Sequence, residues 1–179
     1  MIYKYTMIVH PLYKLTDFKK LHQEILGIIE IVGGDKPQII CQGLELDTND
    51  WDTGIGRIEE LEVTEEKKYC HVHPFLRGSV LESIIKKHNA YRTRIMTMSS
   101  RRCYSIHADP TPRLHIPIIT NNQSWMIWPY HSKCYQLMSG FVYWTDTSKK
   151  HTFINGGAED RIHIVMCIDP DSVTFEQSQ

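Results

Sequence analysis

Tyr104-Ser105-Ile106-His107-Ala108-Asp109-Pro110-Thr111-Pro112-Arg113-Leu114-His115-Ile116-Pro117-Ile118 carries two polar pairs at a spacing of i, i+2. They are His107 with Asp109 and Arg113 with His115. Residues two apart on a strand project to the same face, so each pair can address one site while Leu114, Ile116 and Ile118 pack away on the other side. Tyr104-Ser105-Ile106 suits a strand, and Pro110-Thr111-Pro112 turns the chain. The pattern repeats downstream at Arg161 and His163, backed by Ile162, Ile164, Met166 and Ile168. A lone His151 stands ten residues before Arg161. His107, Asp109 and His151 supply two imidazoles and one carboxylate, the ligand set of the facial triad that holds non-haem Fe(II) with open positions. Any one alternating strand with a polar face is ordinarily a sheet with one side in water. The occurrence of all these pairs in one chain favours the wall of a metal-holding cavity.

These residues carry a resemblance. Tyr104 to Asp109, Arg113 to Ile118, Thr120-Asn121, Tyr143-Trp144, His151 to Asn155 and Arg161 to Val165, in that order, resemble the aspartyl/asparaginyl β-hydroxylase family. That family belongs to the Fe(II)- and 2-oxoglutarate-dependent oxygenases and has relatives that hydroxylate free proline. The match covers roughly residues 92 to 169. It implies that His107, Asp109 and His151 are the iron ligands and that Arg161 holds the distal carboxylate of 2-oxoglutarate. Arg113 and His115 fall where the family has further cosubstrate contacts. Some family members have glycine in place of the carboxylate ligand, so the assignment of Asp109 rests on the triad argument. Where some members carry a serine touching the cosubstrate, this chain has Arg94-Ile95-Met96-Thr97-Met98.

The chain has 179 residues, 41% of them hydrophobic, enough for one domain with a substantial core and short for two. We expect a single domain, with residues 1–90 supplying helices and supporting strands and 91–169 forming the metal- and cosubstrate-binding core. A formal net charge of −1 provides no electrostatic pull toward nucleic acid or an anionic membrane. No apolar run approaches bilayer length, and the N-terminus lacks the apolar core of a signal peptide, so a cytoplasmic location is expected. The five cysteines, 41, 70, 103, 134 and 167, are widely separated and form no Cys-x-x-Cys pair. Reduced, buried thiols are expected rather than a disulfide framework or zinc ribbon.

Residues 1–9 read as an edge strand ended by His10-Pro11. Phe18, Leu21, Ile25, Leu26, Ile28 and Ile29 then form one helical stripe, with Thr16 or Asp17 as N-cap and Gly33-Gly34 as the stop. Residues 37–46 read as strand and 49–56 as a turn-rich loop. Residues 57–63 and 67–73 read as a small hairpin. His71-Val72-His73 on its second strand has no third ligand at useful spacing. The stretch 75–89 reads as a helix, with Leu76, Val80, Ile84 and His88 on its stripe and Lys86-Lys87 near the end that favours cations. Further strands are expected at 124–128, 136–138 and 141–145, with Trp125, Trp128 and Trp144 in the core or cavity wall. The segment after Pro170 turns polar and is expected to be loosely held.

Eight or more short strands with two or so flanking helices predict a mainly β fold. The resemblance makes it a double-stranded β-helix, a cupin-like jelly-roll. Two functional classes remain open. One is a hydroxylase using Fe(II), 2-oxoglutarate and O2; the other is a non-catalytic cupin-like binding module, or a site for zinc or manganese, which the same ligands suit. Arg92, Arg94, Arg101 and Arg102 cluster in an otherwise neutral chain and read either as a solvated face or as a carboxylate grip, with Arg94 the strongest candidate for substrate. A small carboxylate-bearing substrate is favoured over a peptide or protein side chain.

Overall fold

Two residue patterns divide the fold: long alternating strands that pack one face on helices, and shorter strands that close over the other face. The computed structural model describes residues 7–56, 63–173 and 175. In chain order the elements are β1 (Val9–Lys14), α1 (Phe18–Val32), β2 (Gln38–Ile40), β3 (Gln42–Gly43), α2 (Val63–Lys67), β4 (His71–Val72), α3 (Val80–His88) and β5 (Tyr91–Met98). They continue with β6 (Arg102–Cys103), β7 (Arg113–Ile119), β8 (Ser124–Trp128), β9 (Lys133–Tyr135), β10 (Phe141–Thr145), β11 (Thr152–Asn155) and β12 (Arg161–Cys167). A six-stranded sheet runs β1-β10-β7-β12-β5-β2, and a four-stranded sheet runs β6-β11-β8-β9. All the paired strands are antiparallel. This is the expected mainly β jelly-roll, with three α-helices among the described residues.

The larger sheet owes its position to period-two patterning. Leu114, Ile116 and Ile118 of β7 and Ile162, Ile164 and Met166 of β12 join one core with Leu21, Ile25 and Ile28 of α1 and Leu81, Ile84 and Ile85 of α3. Complete burial of a Leu or Ile side chain is worth about 1.5–3 kcal/mol, so this helix-backed face anchors the fold. The opposite face turns toward the smaller sheet, where Met98, Met126, Trp128, Tyr143 and Phe153 form a second cluster. The N-terminal part of the chain supplies both edge strands of the larger sheet, β1 and β2.

Several expectations change here. The edge strand, expected over residues 1–9, starts at Val9 and runs through His10-Pro11 instead of ending there, because an edge position lets Pro11 go without a ladder N–H and a register shift follows it; residues 1–6 lie outside the described residues. Residues 63–67 are helical, not strand, and of the expected hairpin only His71–Val72 is extended, paired with β3; residues 57–62 lie outside the described residues. The helix expected from Phe75 begins at Val80, after a 3-10 turn over Pro74–Leu76, because Ser79 caps it by accepting from the Glu82 N–H at 3.0 Å. Lys133–Tyr135 is the strand, and 136–138 is not. Trp125 is exposed, while Trp128 and Trp144 are buried. Cys41 and Cys167 are buried thiols, whereas Cys70, Cys103 and Cys134 are exposed. Beyond Pro170, Val173 is buried in the core and Phe175 packs edge-on against Trp144.

Candidate metal centre and anion cavity

His107 and Asp109 do not lie on a regular strand. The prolines at 110 and 112 have no N–H to continue a ladder, so pairing shrinks to one antiparallel bridge between His107 and His151. Its two backbone hydrogen bonds measure 3.0 and 2.8 Å. The bridge places the two imidazole rings 4.5 Å apart, centroid to centroid. The Asp109 N–H donates to the Thr147 carbonyl at 2.8 Å, which brings its carboxylate to the same spot. One ligand atom from each of His107, Asp109 and His151 lies within 4.8 Å of the other two. Among the described residues this is the one group of three or more His, Cys, Asp or Glu so placed.

The histidine tautomers suit a metal. His107 Nδ1 sits 2.8 Å from the Ser105 carbonyl and His151 Nδ1 3.0 Å from the Lys149 carbonyl. A carbonyl only accepts, so each Nδ1 carries the proton and each Nε2 presents a lone pair. Burial pushes the His151 imidazole below its ordinary pKa, which keeps it neutral and able to coordinate. Burial alone would raise the Asp109 carboxyl, but Arg113, His151, Arg94 and His107 outweigh it and hold the group below the usual range. Two imidazoles and one carboxylate make a donor set for Fe(II), Zn(II) or Mn(II).

The triad opens on a cavity of about 670 Å³ between the two sheets, lined among others by Arg94, His115, Phe153 and Arg161. Arg161 is 2% exposed, lies 3.6 Å above the Phe153 ring, and leaves Nε and Nη1 without a hydrogen-bond partner. Burial lowers its pKa to about 9. Arg94 is buried too; its Nη1 makes one long contact to Gln38 Oε1 at 3.4 Å, and its Nε has no partner. Burial, with Arg92 adding to it, lowers Arg94 to about 10. Buried polar groups left unpaired cost free energy, so two unsatisfied guanidiniums in one cavity mark places for anionic ligands.

Of the residues singled out from sequence, His107, Asp109, His151, Arg161, His115 and Arg94 all line this cavity. His115 keeps Nδ1 unpaired, and burial, then Arg161, drives its pKa well below the ordinary histidine value. His163 is fully buried behind it and also neutral. Arg113 is placed differently. Its guanidinium is taken up by Glu66, at 2.8 and 3.0 Å, and by the Thr111 hydroxyl at 2.5 Å, so it stands behind Asp109 and does not line the cavity. Arg92 shares Glu66 at 2.7 Å, and Arg101 and Arg102 are exposed. His73 stacks on Trp51 with ring centroids 3.5 Å apart and belongs to no metal-capable group. Glu66 escaped notice because Glu65-Glu66-Lys67-Lys68 reads as a solvated turn.

Fold and site together define a jelly-roll with a metal-capable triad at the mouth of a cationic cavity. Neither the models of known protein families nor the curated proteins match this sequence. Among solved structures, the truncated viral collagen prolyl hydroxylase of Paramecium bursaria Chlorella virus-1 superposes with a TM-score of 0.51 at 10% identity, covering 91% of this chain and 91% of that one. The non-heme monooxygenase ThoJ in its apo form gives 0.49 at 11% identity over 91% of this chain and 74% of its own. A cupin domain from Bordetella pertussis Tohama I gives 0.39 at 16% identity over 45% and 81%. The first likeness is one of fold, and the resemblance to the aspartyl/asparaginyl β-hydroxylases rests on the motifs alone. No helix among the described residues is long and apolar enough to cross a membrane.

Proposed function

We propose that the protein is an Fe(II)- and 2-oxoglutarate-dependent oxygenase that hydroxylates a C–H bond of a small carboxylate-bearing substrate. The observation that carries this is a pair of imidazoles and a carboxylate within 4.8 Å of one another, opening on a cavity that holds two buried guanidiniums with no carboxylate partner among the described residues. His107, Asp109 and His151 would hold the metal. Bound together, Fe(II), 2-oxoglutarate and O2 supply the oxidising power, one oxygen atom entering the substrate and the other the succinate left after loss of CO2.

The chain's own residues bind, orient and exclude water. Arg161, on β12 and stacked on Phe153, would hold the distal carboxylate of 2-oxoglutarate, since its guanidinium has no carboxylate partner among the described residues and a planar fork suits two-pronged pairing. His115, which lines the same cavity and has a ring nitrogen with no protein partner, would contact the same cosubstrate. The charge balance supports a carboxylate-bearing substrate. Glu66 and Asp109 compensate Arg92 and Arg113, but no carboxylate is paired with Arg94 or Arg161 among the described residues. With a divalent ion at the triad, the dianion of 2-oxoglutarate leaves positive charge uncompensated, and Arg94 is the grip for a substrate carboxylate. Fe(II)-dependent succinate formation that is lost in His151→Ala tests the reading. A screen of amino acids and peptides for the gain of one oxygen then tests the substrate class. Oxygen gained only by folded proteins or peptides would overturn the small-substrate assignment.

A further inference from the structure

The metal-facing carboxylate is backed by a second, fully buried one that the reaction does not use. Glu66, on α2 and 0% exposed, accepts from Arg92 Nη1 at 2.7 Å and from Arg113 Nη2 at 2.8 and 3.0 Å. Arg92 is further tied to the Gly54 and Gly56 carbonyls at 3.0 and 2.7 Å. Its backbone is left-handed, φ 46°, where β5 shifts register against β12, and this bulge re-aims its side chain. Arg113 spends its two outer nitrogens on Glu66 and Thr111, so only Nε faces Asp109, 3.5 Å from Oδ2 and without a hydrogen bond.

From this geometry we infer that Glu66 is a positioning residue: by holding Nη2 of Arg113, while Thr111 holds Nη1, it keeps the Asp109 carboxylate oriented and available to a metal ion. A guanidinium whose buried carboxylate is neutralised turns to the next one in reach, because an unpaired buried charge is costly. For Arg113 that next carboxylate is Asp109. A two-pronged pair between them would compete with the metal for the same oxygens. Glu66 thereby ties the N-terminal part of the chain to the metal centre, although it touches neither metal nor cavity.

The inference rests on the triad being a metal site, and the experiment separates the two. Ni(II) is titrated calorimetrically into wild type, Glu66→Gln, Asp109→Gly and the double variant, with no cosubstrate present. Glu66→Gln should bind Ni(II) about tenfold to a hundredfold more weakly than wild type, the range for partners that orient a ligand. In the Asp109→Gly background the same change should alter affinity by less than about twofold. If Glu66→Gln does not fold, Glu66→Asp, which keeps the charge but shortens the reach to Arg113, decides the matter and should weaken Ni(II) severalfold through Asp109 alone. Unchanged affinity in the folded variant, or an equal loss with and without Asp109, would overturn the positioning role. Failure of wild type to bind Ni(II) at all would instead overturn the metal site.

Discussion

Replacing Arg161 by Met should stabilise the free protein while abolishing its use of 2-oxoglutarate. The side chain is 2% exposed, its Nε and Nη1 are unpartnered, and burial has already lowered its pKa to about 9. Exchanging a buried charge for an apolar side chain of similar volume is often worth about 1–4 kcal/mol. Loss of the contact with Phe153 takes back about 0.5–2 kcal/mol. A net gain of about 1–2 kcal/mol corresponds to a rise in Tm of roughly 2–8 °C for a chain of this size. With 2-oxoglutarate bound as proposed, the same guanidinium would make charge-assisted hydrogen bonds worth about 1.5–3 kcal/mol each. Losing two of them costs about 3 kcal/mol or more, over a hundredfold in Kd. Arg161→Lys, which keeps the charge but not the fork, should lose about tenfold. Thermal melts of the metal-free protein and calorimetric titration of 2-oxoglutarate into the Mn(II)-loaded protein read the two effects. A fall in Tm for Arg161→Met, or wild-type cosubstrate affinity in it, would refute the reasoning.

Alanine at His107, Asp109 or His151 should abolish 2-oxoglutarate turnover with the fold retained by circular dichroism, at a cost of about 1–2 kcal/mol at His151, whose ring packs 5.8 Å from Trp128. Asp109→Gly should keep residual activity with weakened metal. Arg94→Ala should suppress hydroxylation far more than succinate release, and normal coupling in that variant would remove Arg94 from substrate binding. Stability should fall in mild acid. Burial lowers the pKa of His88 to about 4 and takes His115 and His163 well below the ordinary value. The unfolded chain therefore binds more protons below its histidine value of about 6.5. The stability is fully present above that pH and is lost as pH drops toward the folded values, at about 1.4 kcal/mol per unit for each histidine. Urea unfolding of metal-free protein at pH 7.5 and 5.5 should differ by about 4 kcal/mol. His163→Leu, which loses no hydrogen bond, should reduce that difference by about 1.4 kcal/mol, and an unaltered difference would contradict the assignment.

The larger sheet was readable because Arg113 to Ile118 and Arg161 to Ile164 alternate polar or proline with apolar residues, with Leu114, Ile116, Ile118, Ile162 and Ile164 committed to the helix-backed core. His115 and Arg161 stand on that alternation and on the motif resemblance, whereas Arg94 stood out from the cluster of arginines at 92, 94, 101 and 102. His107 and Asp109 were found by type and spacing, although the strand expected to carry them is a single bridge cut short by prolines. What stayed hidden was long-range charge pairing. Nothing near Glu66 in sequence marks it as the buried partner of arginines 26 and 47 residues away. Nor could parity alone separate Arg113, held behind the site, from Arg161, left open to it. The bulges at Pro117 and Arg92 likewise answer to strand pairing rather than to local propensity.

The central claim is that His107, Asp109 and His151 hold Fe(II) in a cavity that admits 2-oxoglutarate onto the metal. Visible absorption of the anaerobic protein with Fe(II) and 2-oxoglutarate tests it most directly. The account predicts a weak charge-transfer band that requires both additions, is missing in His151→Ala and Arg161→Met, and decays on admission of O2 with release of succinate. A wild-type protein that binds Fe(II) but gives neither band nor succinate would contradict it.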